Sequence, residues 1–140
     1  IINKSKEYGI YNDTLYCLKY IPKYQVPQLY SRATIATSFF IDVPEMENNS
    51  ANKFFDSLAA GKPIMINYGG WQKDLIQEEG AGFVIPANNA KKAALMINTI
   101  IKDKRMLNKM SKASIRLAQQ FNVENNFEKF KNVIDDVFTL

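Results

Sequence analysis

Residues 49–66 read Asn-Ser-Ala-Asn-Lys-Phe-Phe-Asp-Ser-Leu-Ala-Ala-Gly-Lys-Pro-Ile-Met-Ile, and few folds accommodate that order. Asn49 or Ser50 suits the start of a helix, where a short polar side chain accepts a hydrogen bond from a free backbone N–H. Phe54, Phe55, Leu58 and Ala59 then recur at helical spacing and predict one apolar stripe. Gly61 suits the left-handed residue that ends a helix, and Pro63 cannot continue one. An apolar Ile64-Met65-Ile66 follows at once. A short helix that delivers the chain straight into an apolar strand is the crossover unit of a parallel α/β sheet.

The polar side of that helix is specific. Asn52 and Asp56 are four residues apart and share a face, with Lys53 beside them. A cation in the first turn opposes the helix dipole at a cost of about 0.3–1 kcal/mol. A phosphate at the helix N-terminus would offset that cost. A solvated lysine indifferent to the dipole is the other reading.

The rest of the chain repeats the alternation. Strands are predicted over 34–40, 64–67 and 82–85, with a further β-rich run at 14–18. Helices are predicted over 26–32, 51–60, 71–79, 88–102, 104–120 and 124–138, and residues 1–10 read as the tail of another. Residues 69 and 70, Gly-Gly, predict a tight strand-to-helix turn. Trp71 follows, and its ring either faces a cleft or joins the core. The expected class is α/β, a Rossmann-like parallel sheet with helices on both faces.

Composition removes several function classes. The 140 residues are one domain's worth, with 46% hydrophobic and 23% charged residues. No apolar run approaches the ~20 residues that span a bilayer. The first residues are polar and charged, without a signal-peptide pattern. Histidine is absent, which excludes His-based catalysis and His metal sites. Cys17 is the single cysteine, so thiolate zinc sites are excluded and a reducing compartment, the cytoplasm, is expected. The net charge of +4 is concentrated, because residues 91–120 hold eight Lys or Arg and one acid, Asp103. A solvated helical face, attraction to anionic lipid at the inner face of the plasma membrane, or nucleic acid binding would each use it; the block lacks the aromatic and glycine signatures of RNA readers.

The run from Asn52 to Pro63 resembles the donor-binding helix of retaining glycosyltransferases with the GT-B fold. Within these it resembles the family 4 type that builds bacterial capsule and other surface polysaccharides. Val26-Pro27-Gln28-Leu29-Tyr30-Ser31-Arg32-Ala33 is similar to that family's segment before its next strand. Gly69-Gly70 and Gly80-Ala81-Gly82-Phe83-Val84-Ile85-Pro86 match its later glycine turn and strand. Phe121-Asn122-Val123 stands where the family has Phe-Ser-Trp ahead of its last helix. The match runs in order along nearly the whole chain.

The resemblance implies a nucleoside diphosphate sugar as donor, a UDP-sugar being expected, and a hexosyl group transferred with retention. It implies that Asp56, in place of the family's Glu, binds the ribose hydroxyls. Asn49, Ser50, Ala51 and Asn52 would offer donors to the diphosphate, with Lys53 adding a point charge. The Leu18-Lys19-Tyr20-Ile21-Pro22 corner would read the base, with Tyr20 packed on it or simply at the rim. The family's sugar-contacting Glu falls at Asn48 here, so Asn48 or the adjacent Glu47 takes that role, or the role is lost. No metal or other cofactor is required. The resemblance also implies that residues 1–140 are one donor-binding domain in part, the C-terminal half of a GT-B enzyme without its first strand. The helix at 124–138 would return toward a separate acceptor domain, which holds a saccharide or lipid-linked acceptor. On that basis the isolated chain is expected to be inactive. A nucleotide-sugar epimerase of the same fold and a non-catalytic α/β binding module are the alternatives.

Overall fold

The computed structural model describes residues 1–138; the last two residues of the expected domain lie outside them. Its centre is β2, Ile64–Ile66, in which all three residues are buried. A strand covered on both faces needs no polar alternation, which is why Ile-Met-Ile serves. β1, Ala36–Ser38, and β3, Gly82–Val84, flank it in the order β1-β2-β3. Both pairings are parallel, with Ile64 opposite Ala36 and Gly82.

Successive side chains of β2 point to opposite faces and split the core in two. Ile64 and Ile66 meet Phe54 and Leu58 of α3 (Asn52–Ala59), Ile76 of α4 (Trp71–Glu78) and Leu117 of α6 (Lys104–Ala118). Met65, with Phe83 and Ile85, meets Ala93 and Ile100 of α5 (Ala90–Lys102) and Met110 of α6. Helices therefore cover both faces, as the sequence predicts. α6 contributes to both halves of the core. Its Ser111 Oγ donates to the Gly61 carbonyl at 2.7 Å, and its buried Ser114 Oγ lies 3.0–3.1 Å from the carbonyls of Lys62, Ala81 and Met110. α6 is thus tied to the loop that ends α3.

The caps follow the sequence at one end of α3 and depart from it at the other. Gly61 adopts φ +64°, and the N–H groups of Gly61 and Lys62 donate to Leu58 and Ser57. These are the paired bonds that close a helix through a left-handed residue. At the N-terminus the cap is Ala51, and no side chain caps it. Asn49 turns away, its Nδ2 donating to the Met46 carbonyl. The stripe also shifts, because Ser57 is buried while Ala59 is exposed. Ser57 tolerates burial by donating its hydroxyl to the Lys53 carbonyl.

Two further expectations are corrected. Residues 14–18 form no strand and make one bridge, Tyr11 to Leu15. The turn around Asn12, at φ +58°, curls the segment on itself and leaves Tyr16 and Leu18 exposed. The strand predicted at 34–40 is short because Asn67 takes over the ladder. Its amide accepts from the Phe40 N–H at 2.9 Å and donates to the Phe40 carbonyl at 2.8 Å.

The remaining elements are α1 (Ile2–Glu7), α2 (Val26–Arg32) and α7 (Val123–Phe138), with 3-10 turns at Lys23–Gln25, Pro44–Asn48 and Gln119–Phe121. Every residue of α7 is exposed, including Phe127, Phe130, Ile134 and Val137 along one face. Among the described residues no helix is long and apolar enough to cross a membrane.

Candidate functional site

The loops after β1 and β2 and the N-terminus of α3 gather at the C-terminal edge of the sheet. In open α/β sheets this is where ligands bind. The loop from Ile41 to Ala51 arches here, and Gly69-Gly70 anchors it. Gly70 has φ +77°, and a Cβ there would stand 2.1 Å from the Glu47 carbonyl oxygen. A Cβ on Gly69 would meet the Glu47 carboxylate at 2.6 Å. The double glycine thus permits the tight turn expected of it and seats Glu47 against that turn. Trp71 adds a second anchor, its Nε1 donating to the Asn49 carbonyl at 3.1 Å. Its ring is 37% exposed and packs edge-on against Phe54 at 5.8 Å, so it stands at the border of core and cleft.

Beneath the loop is a polar cluster. Tyr68 Oη donates to Gln72 Oε1 at 2.5 Å and lies 3.2 Å from Ser38 Oγ. Burial raises the Tyr68 phenol above its ordinary value, and hydrogen bonding with Ser38 and Asn49 opposes this. The Nε2 of Gln72 and the Oδ1 of Asn49 are buried and make no hydrogen bond among the described residues.

The absence of a side-chain cap leaves donors at the α3 N-terminus. The N–H groups of Ser50, Ala51 and Asn52 donate to no acceptor among the described residues. They carry the positive end of the helix dipole and would suit an anion. Lys53 follows them in sequence, its Nζ 5.2 Å over the Phe40 ring centroid. Its cost against the dipole is thereby partly offset by the ring, a partner that sequence spacing does not show.

One turn further on, Asp56 is exposed and has neither an ion pair nor a side-chain hydrogen bond among the described residues. The pairing with Lys53 or Asn52 that spacing allows does not form. Instead the carboxylate borders a cleft of about 280 Å³ between α2 and α3, lined by Lys23, Val26, Pro27, Tyr30, Ala59 and Ala60. Tyr20 does not line it and stands 90% exposed. Lys23, Val26, Pro27 and Tyr30 were not singled out as site residues from sequence. Their signal was the spacing of 23, 26, 27 and 30, which places them on one side of the turn and helix they occupy. Asn48 ends the Pro44–Asn48 turn and is exposed, with no side-chain hydrogen bond.

The site therefore juxtaposes backbone donors without acceptors among the described residues, the Lys53 cation, the Asp56 carboxylate and an adjoining, mostly apolar cleft that Lys23 borders. That set could take a polyanion joined to a hydroxylated ring and a flat apolar group. No curated protein is found to match this chain. The description of the glycosyl transferases group 1 family matches residues 1–117. The match takes in the α3 site, its loop and the cleft, and the chain belongs to the group 1 glycosyl transferase family.

Proposed function

We propose that this chain binds a nucleoside diphosphate sugar at the N-terminus of α3. The observation that carries the reading is that three free N–H groups, Lys53 and an unpaired Asp56 share one short helix beside a cleft. The diphosphate sits on the N–H groups of Ser50, Ala51 and Asn52, with Asn49 at the margin and Lys53 adding charge. Asp56 accepts hydrogen bonds from both ribose hydroxyls, as an ionised carboxylate does well. The base enters the cleft against Tyr30 and Pro27, and Tyr20 closes over its outer edge. Glu47, seated on Gly69-Gly70, takes the sugar hydroxyls in preference to Asn48, which nothing holds.

The reaction is transfer of a hexosyl group from a UDP-sugar with retention at the anomeric carbon. The diphosphate leaves from the same face that the acceptor hydroxyl approaches, and a leaving phosphate oxygen takes the acceptor's proton. Catalysis is then positioning plus electrostatic stabilisation of the leaving group by the α3 donors and Lys53, with no metal or other cofactor. The acceptor is a saccharide or lipid-linked sugar of a bacterial surface polysaccharide. It is held by a second domain toward which the apolar face of α7 turns, so the chain alone binds donor without turning it over. The setting is the cytoplasm, at the inner face of the plasma membrane.

Thermal-shift titration with UDP, GDP, uridine and inorganic phosphate tests the reading. A rise in melting temperature with UDP that exceeds those with uridine and phosphate is expected. No rise with either nucleoside diphosphate would remove the donor site from α3.

A further inference from the structure

The outer face of α6 has no part in the donor site. Arg105, Lys109, Lys112 and Arg116 fall at i, i+4, i+7 and i+11, one exposed stripe about a third of a turn round the helix from the buried Met110, Ala113 and Leu117. All four are exposed, and none makes an ion pair among the described residues. The one acid of α5 and α6, Asp103, is occupied in capping α6, where it accepts from the Met106 N–H at 2.8 Å. Like charges at this spacing repel and weaken a helix. The stripe therefore opposes the stability of the element that carries it, and no ion pair among the described residues compensates it.

At the corner where α5 turns into α6 the stripe meets apolar side chains. Ile101 is 48% and Met106 40% exposed, set among Lys102, Lys104 and Arg105. Residues 87–120 contain no aromatic residue and no glycine. Readers of single-stranded nucleic acid stack bases on aromatic side chains, and this surface has none to offer. Cations that reach headgroup phosphates, next to aliphatic side chains able to enter the acyl boundary, suit an anionic lipid surface.

We propose that the outer face of α6, with the α5–α6 corner, docks the chain onto an anionic phospholipid bilayer. The cations supply the attraction, and Ile101 and Met106 insert shallowly. Docking rests on this surface alone and is independent of how the donor is bound at α3.

Co-sedimentation of the full chain with vesicles tests it, using phosphatidylcholine alone and phosphatidylcholine mixed equally with phosphatidylglycerol. Binding is expected only to the anionic vesicles and should weaken with added salt. Each Lys or Arg near such a surface contributes about fivefold in partitioning. Replacing Arg105, Lys109, Lys112 and Arg116 together by Gln should reduce it by at least about fiftyfold. A control in which Lys4, Lys6, Lys129 and Lys131 become Gln has the same net charge and should keep most of the binding. Ile101→Ser with Met106→Ser should weaken binding at high salt most, with the charges intact. Circular dichroism and the UDP thermal shift establish that each variant is folded. No binding to anionic vesicles, or equal loss in the stripe variant and the control, would overturn the proposal. So would tighter binding to a single-stranded oligonucleotide than to the anionic vesicles at equal phosphate.

Discussion

Lys53 stands between two opposed interactions in the empty protein. The helix dipole disfavours it by about 0.3–1 kcal/mol, and an exposed cation over a ring gains about 0.5–1 kcal/mol. The two nearly cancel, so Lys53→Gln is expected to leave the melting temperature almost unchanged. Its effect should show on the ligand, with a larger loss of affinity for UDP than for uridine, because the missing partner is a phosphate charge. Equal losses for the two ligands in calorimetry would make Lys53 an ordinary surface residue. Tyr68 gives a different reading at the same scale. Its phenol is held above the ordinary tyrosine value by burial. The folded state thus keeps this proton more tightly than the unfolded chain does, and the linked stability is fully present below about pH 10. That stability is lost as pH rises through 10 toward the raised folded value. Urea denaturation compared at neutral and alkaline pH should show a steeper alkaline loss for the wild type than for Tyr68→Phe. Parallel losses would mean that the phenol is not desolvated.

The elements divide by how much of each could be read from the sequence. α2 matches its expected bounds, and α4 to α7 match theirs to within two residues. Their apolar periodicity agrees with the packing found, and the structure adds Asn89 and Asp103 as side-chain caps of α5 and α6. Two features were illegible for a physical reason. Whether 14–18 pairs depends on a neighbouring strand, which local propensity does not encode. The α3 cap failed because the loop's tertiary course turns the Asn49 side chain back on Met46, to whose carbonyl its Nδ2 donates, while Trp71 donates to the Asn49 backbone carbonyl, so the Asn49 Oδ1 does not reach the α3 N–H groups. At the site, the shared face of Asn52 and Asp56 and the cation at the helix start could be read from spacing, whereas the ring under Lys53 and the cleft beside Asp56 needed three dimensions. The Gly69-Gly70 turn was legible and bears a prediction. Gly70→Ala would place a side chain at φ +77° and drive its Cβ into the Glu47 carbonyl. The strain alone costs about 1–3 kcal/mol, so a clear drop in urea midpoint is expected, with weaker UDP binding as the loop shifts. An unaltered midpoint would mean that the loop is not seated on this turn. α7 buries no side chain, and isolated helices of its length are marginal in water. Its amides should exchange with deuterium much faster than those of β2. Comparable protection of the two would show that α7 is covered in solution.

The whole molecule separates its parts by place. The sheet and the helices on its two faces form the support, and the proposed donor site lies in the loops at the C-terminal strand edge. The charge excess lies apart from them, on α5 and α6. Membership of the group 1 glycosyl transferases joins this architecture to sugar transfer. The central claim is that the N-terminal part of α3 is where a nucleoside diphosphate is gripped, with Asp56 on the ribose. Asp56 has no ion-pair or side-chain hydrogen-bond partner among the described residues to lose, so Asp56→Ala separates binding from folding. The decisive measurement is calorimetric titration of UDP into the wild-type chain and into Asp56→Ala, with both melting curves recorded. Saturable one-to-one binding by the wild type is predicted. The variant should bind about 1.5–3 kcal/mol more weakly, the worth of hydrogen bonds to a charged group, while its melting temperature stays unchanged. Superimposable isotherms for the two proteins, or no binding by the wild type, would contradict it.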